Sequence, residues 1–237
     1  MLGASQGMGL AIAEALAAEG ANVAMFARRA DVVEREAARI GALAVPGDLT
    51  RAADLERLVA STVEAFGGID VVVLNGGGPP PGAAADVTAA DVAAAVELLL
   101  IPHVRLVGLC LPYLRASGRG RIVAIESTSV KEPIANLALS NAVRPGVVGW
   151  LKTLARELGP DGITVNTIAP GRIDTERMQE LYGPDGPPAA TIEAIAARRL
   201  GTPAEIAAAV CFLASEPAGY VTGTVLPVDG GLTRGLF

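Results

Sequence analysis

A chain of 237 residues, 51% of them apolar and 3% aromatic, is long enough to bury a large core of its own in an α/β domain. Its net charge of -6 excludes the basic footprint that nucleic-acid phosphates require, so nucleic acid is not an expected partner. The two cysteines, Cys110 and Cys211, have no histidine beside them and make neither a disulfide framework nor a metal site; buried free thiols in a reducing cytoplasm are expected instead.

The chain opens on MLGASQGMG, a glycine-rich turn with no strand ahead of it. In a doubly wound sheet that turn is fed by a central strand, and an empty slot between two buried strands would strand backbone groups. Roughly half a dozen further residues, an ordinary strand length, are therefore expected upstream. No basic segment followed by an apolar run opens the chain, so no secretory signal is read and a cytoplasmic location is expected. Gly3, Gly7 and Gly9 then lead into a helical segment at 7–19. Glycines so placed let the backbone approach a pyrophosphate, whose charge meets free N–H groups at the helix start; a simple tight turn has the same composition.

Next come a strand at 22–26, a short helix near 31–40, a strand at 42–45, a helix at 51–66 and a strand at 69–74. The first of these strands runs into Ala27-Arg28-Arg29, where the ribose of a bound adenosine lies in such folds. An acidic residue there would favour NAD or suit S-adenosylmethionine, whereas a guanidinium pairs with a 2′-phosphate and favours NADP(H) over NAD(H). After the loop GGGPPPG at 76–82, a long helix is read at 88–116. Within it, 92–114 is membrane-like in hydropathy, but Glu97, His103 and Arg105 would be costly in a bilayer, so burial against the sheet or a second subunit is expected. A strand at 121–125, a helix at 138–158 and a strand at 163–168 follow. The segment 172–200, with its turn YGPDGPP at 182–188, reads as a substrate lid, and a helix at 203–215 and a strand at 224–228 close the chain. This alternation predicts right-handed βαβ units, hence a Rossmann-type doubly wound parallel sheet with helices on both faces. No linker or repeat interrupts it, so residues 1–237 are read as one domain.

Five ordered motifs resemble those of the short-chain dehydrogenases/reductases. G-A-S-Q-G-M-G at 3–9 looks like the family's nucleotide motif, with Leu2 where Thr is usual, and Gly47-Asp48-Leu49-Thr50 resembles its adenine-contacting segment. Leu74-Asn75-Gly76-Gly77 resembles the family's Asn-Asn-Ala-Gly, and N-T-I-A-P-G at 166–171 with Thr175 resembles its Pro-Gly turn. The tail from Arg198 to Gly231 is similar to its C-terminal helix, strand and turn. The resemblance implies a dinucleotide held by Gly3, Ser5, Gly7 and Gly9, by Arg28 and Arg29, and by Asp48 and Leu49. It further implies contacts from Asn75, Gly76, Arg144, Pro170, Gly171 and Thr175, and no metal.

The family's catalytic tetrad of Asn, Ser, Tyr and Lys falls here on Leu99, Ser127, Ser140 and Arg144. In the family the tyrosine protonates the carbonyl oxygen as hydride arrives, a nearby ammonium lowers its pKa, and the serine holds the oxygen. Ser127 can still hold a carbonyl, Ser140 is a poor acid that could pass a proton from water, and Arg144 keeps the charge without shuttling protons. Glu126 could be a substitute acid with a pKa raised by burial, or a carboxylate paired with Arg144 or Lys131. Lys131 reads as a solvated loop charge, and His103, the one histidine, as packing or interface. Tyr113 and Tyr220 belong to other motifs, and Tyr182 reaches the site only if its loop folds over. Pro145, directly after Arg144, is expected to perturb its helix by crowding the carbonyl of Asn141.

Two functions remain open on these residues. One is an NADPH-dependent reductase of carbonyl or alcohol small molecules, similar to the 3-oxoacyl-acyl-carrier-protein reductase branch, with an atypical active site. The alternative is a cofactor-holding module acting as a redox sensor or structural subunit. Apolar surface on 88–116 and 138–158, including Trp150, predicts a homodimer or homotetramer through those helices.

Overall fold

A computed structural model describes residues 1–183 and 186–236; Pro184 and Asp185, in the turn of the expected lid, lie outside the described residues, as does Phe237. Six strands form where the alternation placed them, within two residues at either end: β1 (Ala24–Ala27), β2 (Leu43–Pro46), β3 (Val71–Asn75), β4 (Arg121–Ile125), β5 (Thr164–Pro170) and β6 (Val225–Val228). All pairings are parallel. Successive residues of the central strands point to opposite faces, as a pleated strand requires. Val72, Leu74, Ile122 and Ala124 enter one core with residues of α3 (Ala52–Phe66), α5 (Ile101–Ser117) and α6 (Ala138–Leu158). Val73, Val123 and Ile125 enter another with α1 (Gly7–Ala18) and α9 (Pro203–Ala214), while α2 (Ala30–Ile40) covers β1 on that same side. Helices thus lie on both faces.

The sheet is not one continuous ladder. Its strands run β2-β1 and, separately, β3-β4-β5-β6. Between β1 and β3, among the described residues, runs the Met1-Leu2 segment: Leu2 bridges Phe26 in parallel, Leu2 N–H donates to Val73 O at 3.2 Å, and Phe26 N–H donates to Met1 O at 3.0 Å. Two residues hold the carboxyl end of the slot. Toward its other end lies a cavity of about 810 Å³, lined by Val23, Ala24, Val71, Val72, Leu106 and Cys110 among others. The Met1 ammonium reaches Ala24 O at 2.9 Å, and burial pushes its pKa down to about 6.

The expected single helix at 88–116 is two, α4 (Ala89–Leu99) and α5, broken at Leu100 (φ -106, ψ -54). Pro102 supplies the reason, since it has no N–H to continue the ladder and its ring restricts the residue before it. The combined stretch Ala89–Ser117 is long and apolar enough to cross a membrane by length and composition; here Leu106, Val107, Cys110 and Leu114 bury it in the sheet core. Pro145, by contrast, leaves α6 unbroken. Val143 packs against Leu99, while Val147, Leu151, Leu154 and Leu158 lie in the sheet core, so burial on both sides offsets the one lost hydrogen bond. Segment 172–200, expected to be a lid, is not a bare loop: its described residues include α7 (Glu176–Tyr182) and α8 (Ala189–Glu193). Its base is pinned where Asp174 N–H donates to Gly201 O at 2.9 Å and Gly201 N–H to Arg172 O at 2.9 Å.

Because Leu2 is fully buried and links the two halves of the sheet, Leu2→Ala is expected to lower stability by about 2–5 kcal/mol in urea denaturation.

Candidate active site

The glycine-rich turn is built on close backbone approach. Gly3 and Gly7 have positive φ (60 and 53), which glycine adopts without a Cβ penalty. A Cβ on Gly3 would stand 2.8 Å from Asn75 Nδ2, and one on Gly9 would overlap the Gly3 carbonyl. The first turn of α1 carries no side-chain cap from Gln6, so its N–H groups are left for an anion. Ser5 lies half-buried within the turn. Thr175, from the base of the lid, comes within 3.4 Å of where a Gly7 Cβ would be. A phosphate-bearing dinucleotide therefore fits the donor set that these residues present.

The neighbouring strand ends converge on the same edge. Asn75, at the end of β3, donates from Nδ2 to Leu2 O at 3.3 Å and Gly3 O at 3.4 Å. Asp48, after β2, accepts from Thr50 N–H at 2.9 Å and Thr50 O–H at 2.8 Å, and the backbone N–H of Thr50 holds its carboxyl below the usual range. Leu49 packs onto the core beside it. Arg28 and Arg29 are both exposed after β1; Arg29 is hydrogen-bonded to Gln6 Oε1, and Arg28 lowers the Asp48 pKa through its charge. Pro170 pairs with Val228 across β5 and β6, and Gly171 N–H donates to Val228 O at 3.1 Å. At Gly171 a side chain would collide with Asp229.

The catalytic stretch follows from β4 and α6. Ser127 is extended (φ -169), and its Oγ accepts from Ser129 N–H at 3.1 Å, which leaves its own hydrogen free to donate. Ser140 and Arg144, four apart on α6, share a helix face. Both are buried, and Ser140 Oγ lies 3.1 Å from Ser129 Oγ. Arg144 Nη1 donates to Glu126 Oε2 at 2.9 Å and Nη2 donates to Gly77 O at 3.2 Å. Glu126 is thus the carboxylate paired with Arg144, rather than with Lys131. Burial raises its pKa, opposed by the Arg144 charge.

Leu99 is buried against Leu139 and Val143 of α6, an apolar contact where the resemblance would place an asparagine. One turn on, His103 is 1% exposed, and its Nδ1 is 3.9 Å from Glu126 Oε1. Burial and the Arg144 charge lower its pKa to about 3, so it is neutral. Reading His103 as packing found its burial and missed its direction; the spacing from Leu99, one helical turn, was the signal available. Sequence reasoning also missed Ser129 and the Gly77 carbonyl. Tyr113 packs against the sheet core, Tyr220 is fully exposed, and the Tyr182 ring stacks 6.0 Å from the Arg172 guanidinium.

Residues 3–233 match the family described as enoyl-(acyl carrier protein) reductase. The 3-oxoacyl-(acyl-carrier-protein) reductase MabA of Mycobacterium tuberculosis is 34% identical over 233 residues, 98% of this chain and 91% of the relative. Among solved structures, the NADPH-dependent reductase YwfH, involved in bacilysin biosynthesis, superposes with a TM-score of 0.94 at 26% identity, covering 99% of this chain and 97% of the other. An NADPH-bound short-chain oxidoreductase of Pseudomonas aeruginosa PAO1, described as containing an atypical catalytic center, gives 0.92 at 28% identity, with 99% and 95% covered.

Removing the cation from the buried pair would leave a carboxylate with no compensating charge. Arg144→Leu is expected to cost about 3–5 kcal/mol of stability at neutral pH. The sign with pH is fixed by the raised Glu126 pKa: as pH falls through it the carboxyl becomes neutral, so the penalty in thermal or urea unfolding should shrink on acidification.

Proposed function

The chain belongs to the short-chain dehydrogenase/reductase family, and we propose that it is an NADPH-dependent carbonyl reductase acting on 3-oxoacyl-thioester-like substrates, with proton delivery that is slow for the family. The observation that carries this reading is that Ser127 presents a free O–H just after β4, where the preceding residue, Glu126, holds the Arg144 cation, while the glycine turn meets Asn75 at the end of β3. When bound, the reduced nicotinamide supplies a hydride to the carbonyl carbon. Gly3, Ser5, Gly7 and Gly9 would take its phosphates, Arg28 and Arg29 the 2′-phosphate, and Asp48 and Leu49 the adenine side. Asn75, Gly76, Pro170, Gly171 and Thr175 would flank the nicotinamide half.

Ser127 donates its hydroxyl hydrogen to the substrate oxygen and so stabilises the negative charge that develops there. Arg144 adds a fixed positive charge but stays protonated throughout. The proton finally held by the product alcohol comes from water, by way of the Ser127 hydroxyl, with Ser129 and Ser140 as polar neighbours. Glu126, its side chain wholly buried and its Oε2 engaged, serves this site as the anchor of Arg144. Segment 172–200 covers the substrate side, and Arg177 of α7 reaches Pro79 O at 3.0 Å to tie it to the loop after β3. Val92 of α4 and Val104 of α5 are more than a third exposed, which supports association of copies through α4, α5 and α6 into a homodimer or homotetramer.

NADPH consumption over a panel of ketones and 3-oxoacyl thioesters tests the reading, with Ser127→Ala expected to lower kcat by about tenfold or more. The double variant Ser140→Tyr with Arg144→Lys, which restores a phenol beside an ammonium, should raise turnover by about 10²–10⁴-fold. NADPH binding with no turnover of any carbonyl would overturn the reductase and leave a cofactor-holding module. Light scattering is expected to give at least the dimer mass.

A further inference from the structure

His103 is the only histidine of the chain, and nothing in the reaction just described uses it. Both of its ring nitrogens are buried without a hydrogen-bond partner among the described residues, and so is Glu126 Oε1. Two of these three atoms face each other: Nδ1 and Oε1 are 3.9 Å apart, a gap that a small side-chain rotation closes. The other carboxylate oxygen belongs to Arg144, which in turn holds the Gly77 carbonyl. Nε2 lies beside Gly76, where a Cβ would come within 3.8 Å of it. A polar chain therefore runs His103, Glu126, Arg144, Gly77 under the loop that follows β3, joining α5, the end of β4 and α6.

Buried polar atoms left unmatched are costly, so the facing pair is the arrangement in which both are satisfied. An ionised carboxylate only accepts, which places the imidazole hydrogen on Nδ1. The geometry points to His103 as a positioning residue of the active site: its Nδ1–H donates to Glu126 Oε1 and fixes the carboxylate that orients Arg144. The helix that follows Leu99, the residue at the family's asparagine position, thereby returns a polar group to the site four residues later. The consequence for Arg144 rests on the reductase reading; the hydrogen bond itself does not.

The ionisable groups facing the imidazole are Glu126, from the end of β4, and Arg144, from α6. A single histidine makes the test direct. In the ¹⁵N spectrum of the whole chain labelled on histidine, recorded at pH 8 without cofactor, Nδ1 is expected to carry the hydrogen and Nε2 to be bare. On acidification the ring should stay uncharged well below the ordinary histidine range. A hydrogen on Nε2 at pH 8, or an imidazole that becomes charged near its ordinary pKa, would overturn the proposal.

Kinetics give the second arm, in the full chain with NADPH and the best ketone of the panel. His103→Leu should lower kcat by about tenfold or more with little change in KM, because it removes a hydrogen bond to a charged group. It should also move the acid limb of kcat to higher pH by about one unit, since a carboxylate deprived of a donor protonates sooner. His103→Asn, whose side-chain N–H takes the place of Nδ1–H, should restore both. A wild-type kcat and acid limb in His103→Leu would sink the proposal, as would failure of His103→Asn to rescue while it folds normally. If the wild-type chain reduces no carbonyl yet shows the Nδ1–H ring, the reductase reading falls and the hydrogen bond stands.

Discussion

A carboxylate taken out of water must meet a cation or bind a proton, and the arrangement around Glu126 answers that constraint. Its side chain is fully buried at the end of β4, and Arg144 reaches it from the second turn of α6. The guanidinium is a planar fork, so its second nitrogen can serve another acceptor at the same time, and it takes the Gly77 carbonyl. One pair therefore fixes three things: the start of α6, the end of β4 and the loop after β3. A lysine at position 144 would bring a point charge with one reach. The arginine where the resemblance would place a lysine thus serves Glu126 and the Gly77 carbonyl together.

The same short piece of chain couples that pair to the dinucleotide side. Asn75 closes β3 and spends its amide on the Leu2 and Gly3 carbonyls, which holds the glycine turn against the sheet. Gly76 and Gly77 follow at once, one beside His103 and the other under Arg144. No side chain intervenes, so the backbone of 75–77 is the connection between the two halves of the site. A displacement of this loop would be felt at both, and Arg177 of α7 holds the chain just beyond it, at Pro79 O.

Much of the fold was legible because its signals are local. The period-2 burial of β3 and β4 and the apolar faces of α3 and α6 come from residue type alone, and their boundaries came out within two residues. Other features depend on contacts no window of sequence contains. The grouping of the strands into β1-β2 and β3-β4-β5-β6, with Leu2 bridging Phe26, is one of them. The short helices α7 (ERMQELY) and α8 (AATIE) are themselves made mostly of good helix formers, and the Gly- and Pro-rich turn between them drew the whole segment into a loop reading. The break at Leu100 was within reach, since Pro102 marks it. In the site, counting along the chain assigned Ser127, Ser140 and Arg144 to the tetrad positions, and Ser140 and Arg144 are both buried on α6. Counting could not tell which partner Glu126 would choose, because Arg144 is 18 residues away and Lys131 only five. Nor could it show that His103, from another helix, faces the same carboxylate.

Carbonyl reduction has a hydride half and a proton half, and they make different demands on a protein. Hydride delivery needs distance and orientation, which depend on backbone shape: the glycine turn, the Pro170-Gly171 turn and Thr175 are all present in this chain. Proton delivery needs an acid whose pKa lies near the working pH. Here Ser127 is an alkanol, Arg144 stays charged, and Glu126 is sealed in its pair. The proton half is therefore the weak one. Its cost falls on how basic the developing oxyanion becomes, because a less basic oxygen needs less help in the transition state. A carbonyl two carbons from a thioester is electron-poor and gives an oxyanion of reduced basicity, whereas a simple dialkyl ketone does not. On the proposed reductase reading, a site with a hydrogen-bond donor and a fixed cation but no strong acid would suit the first kind of substrate better than the second.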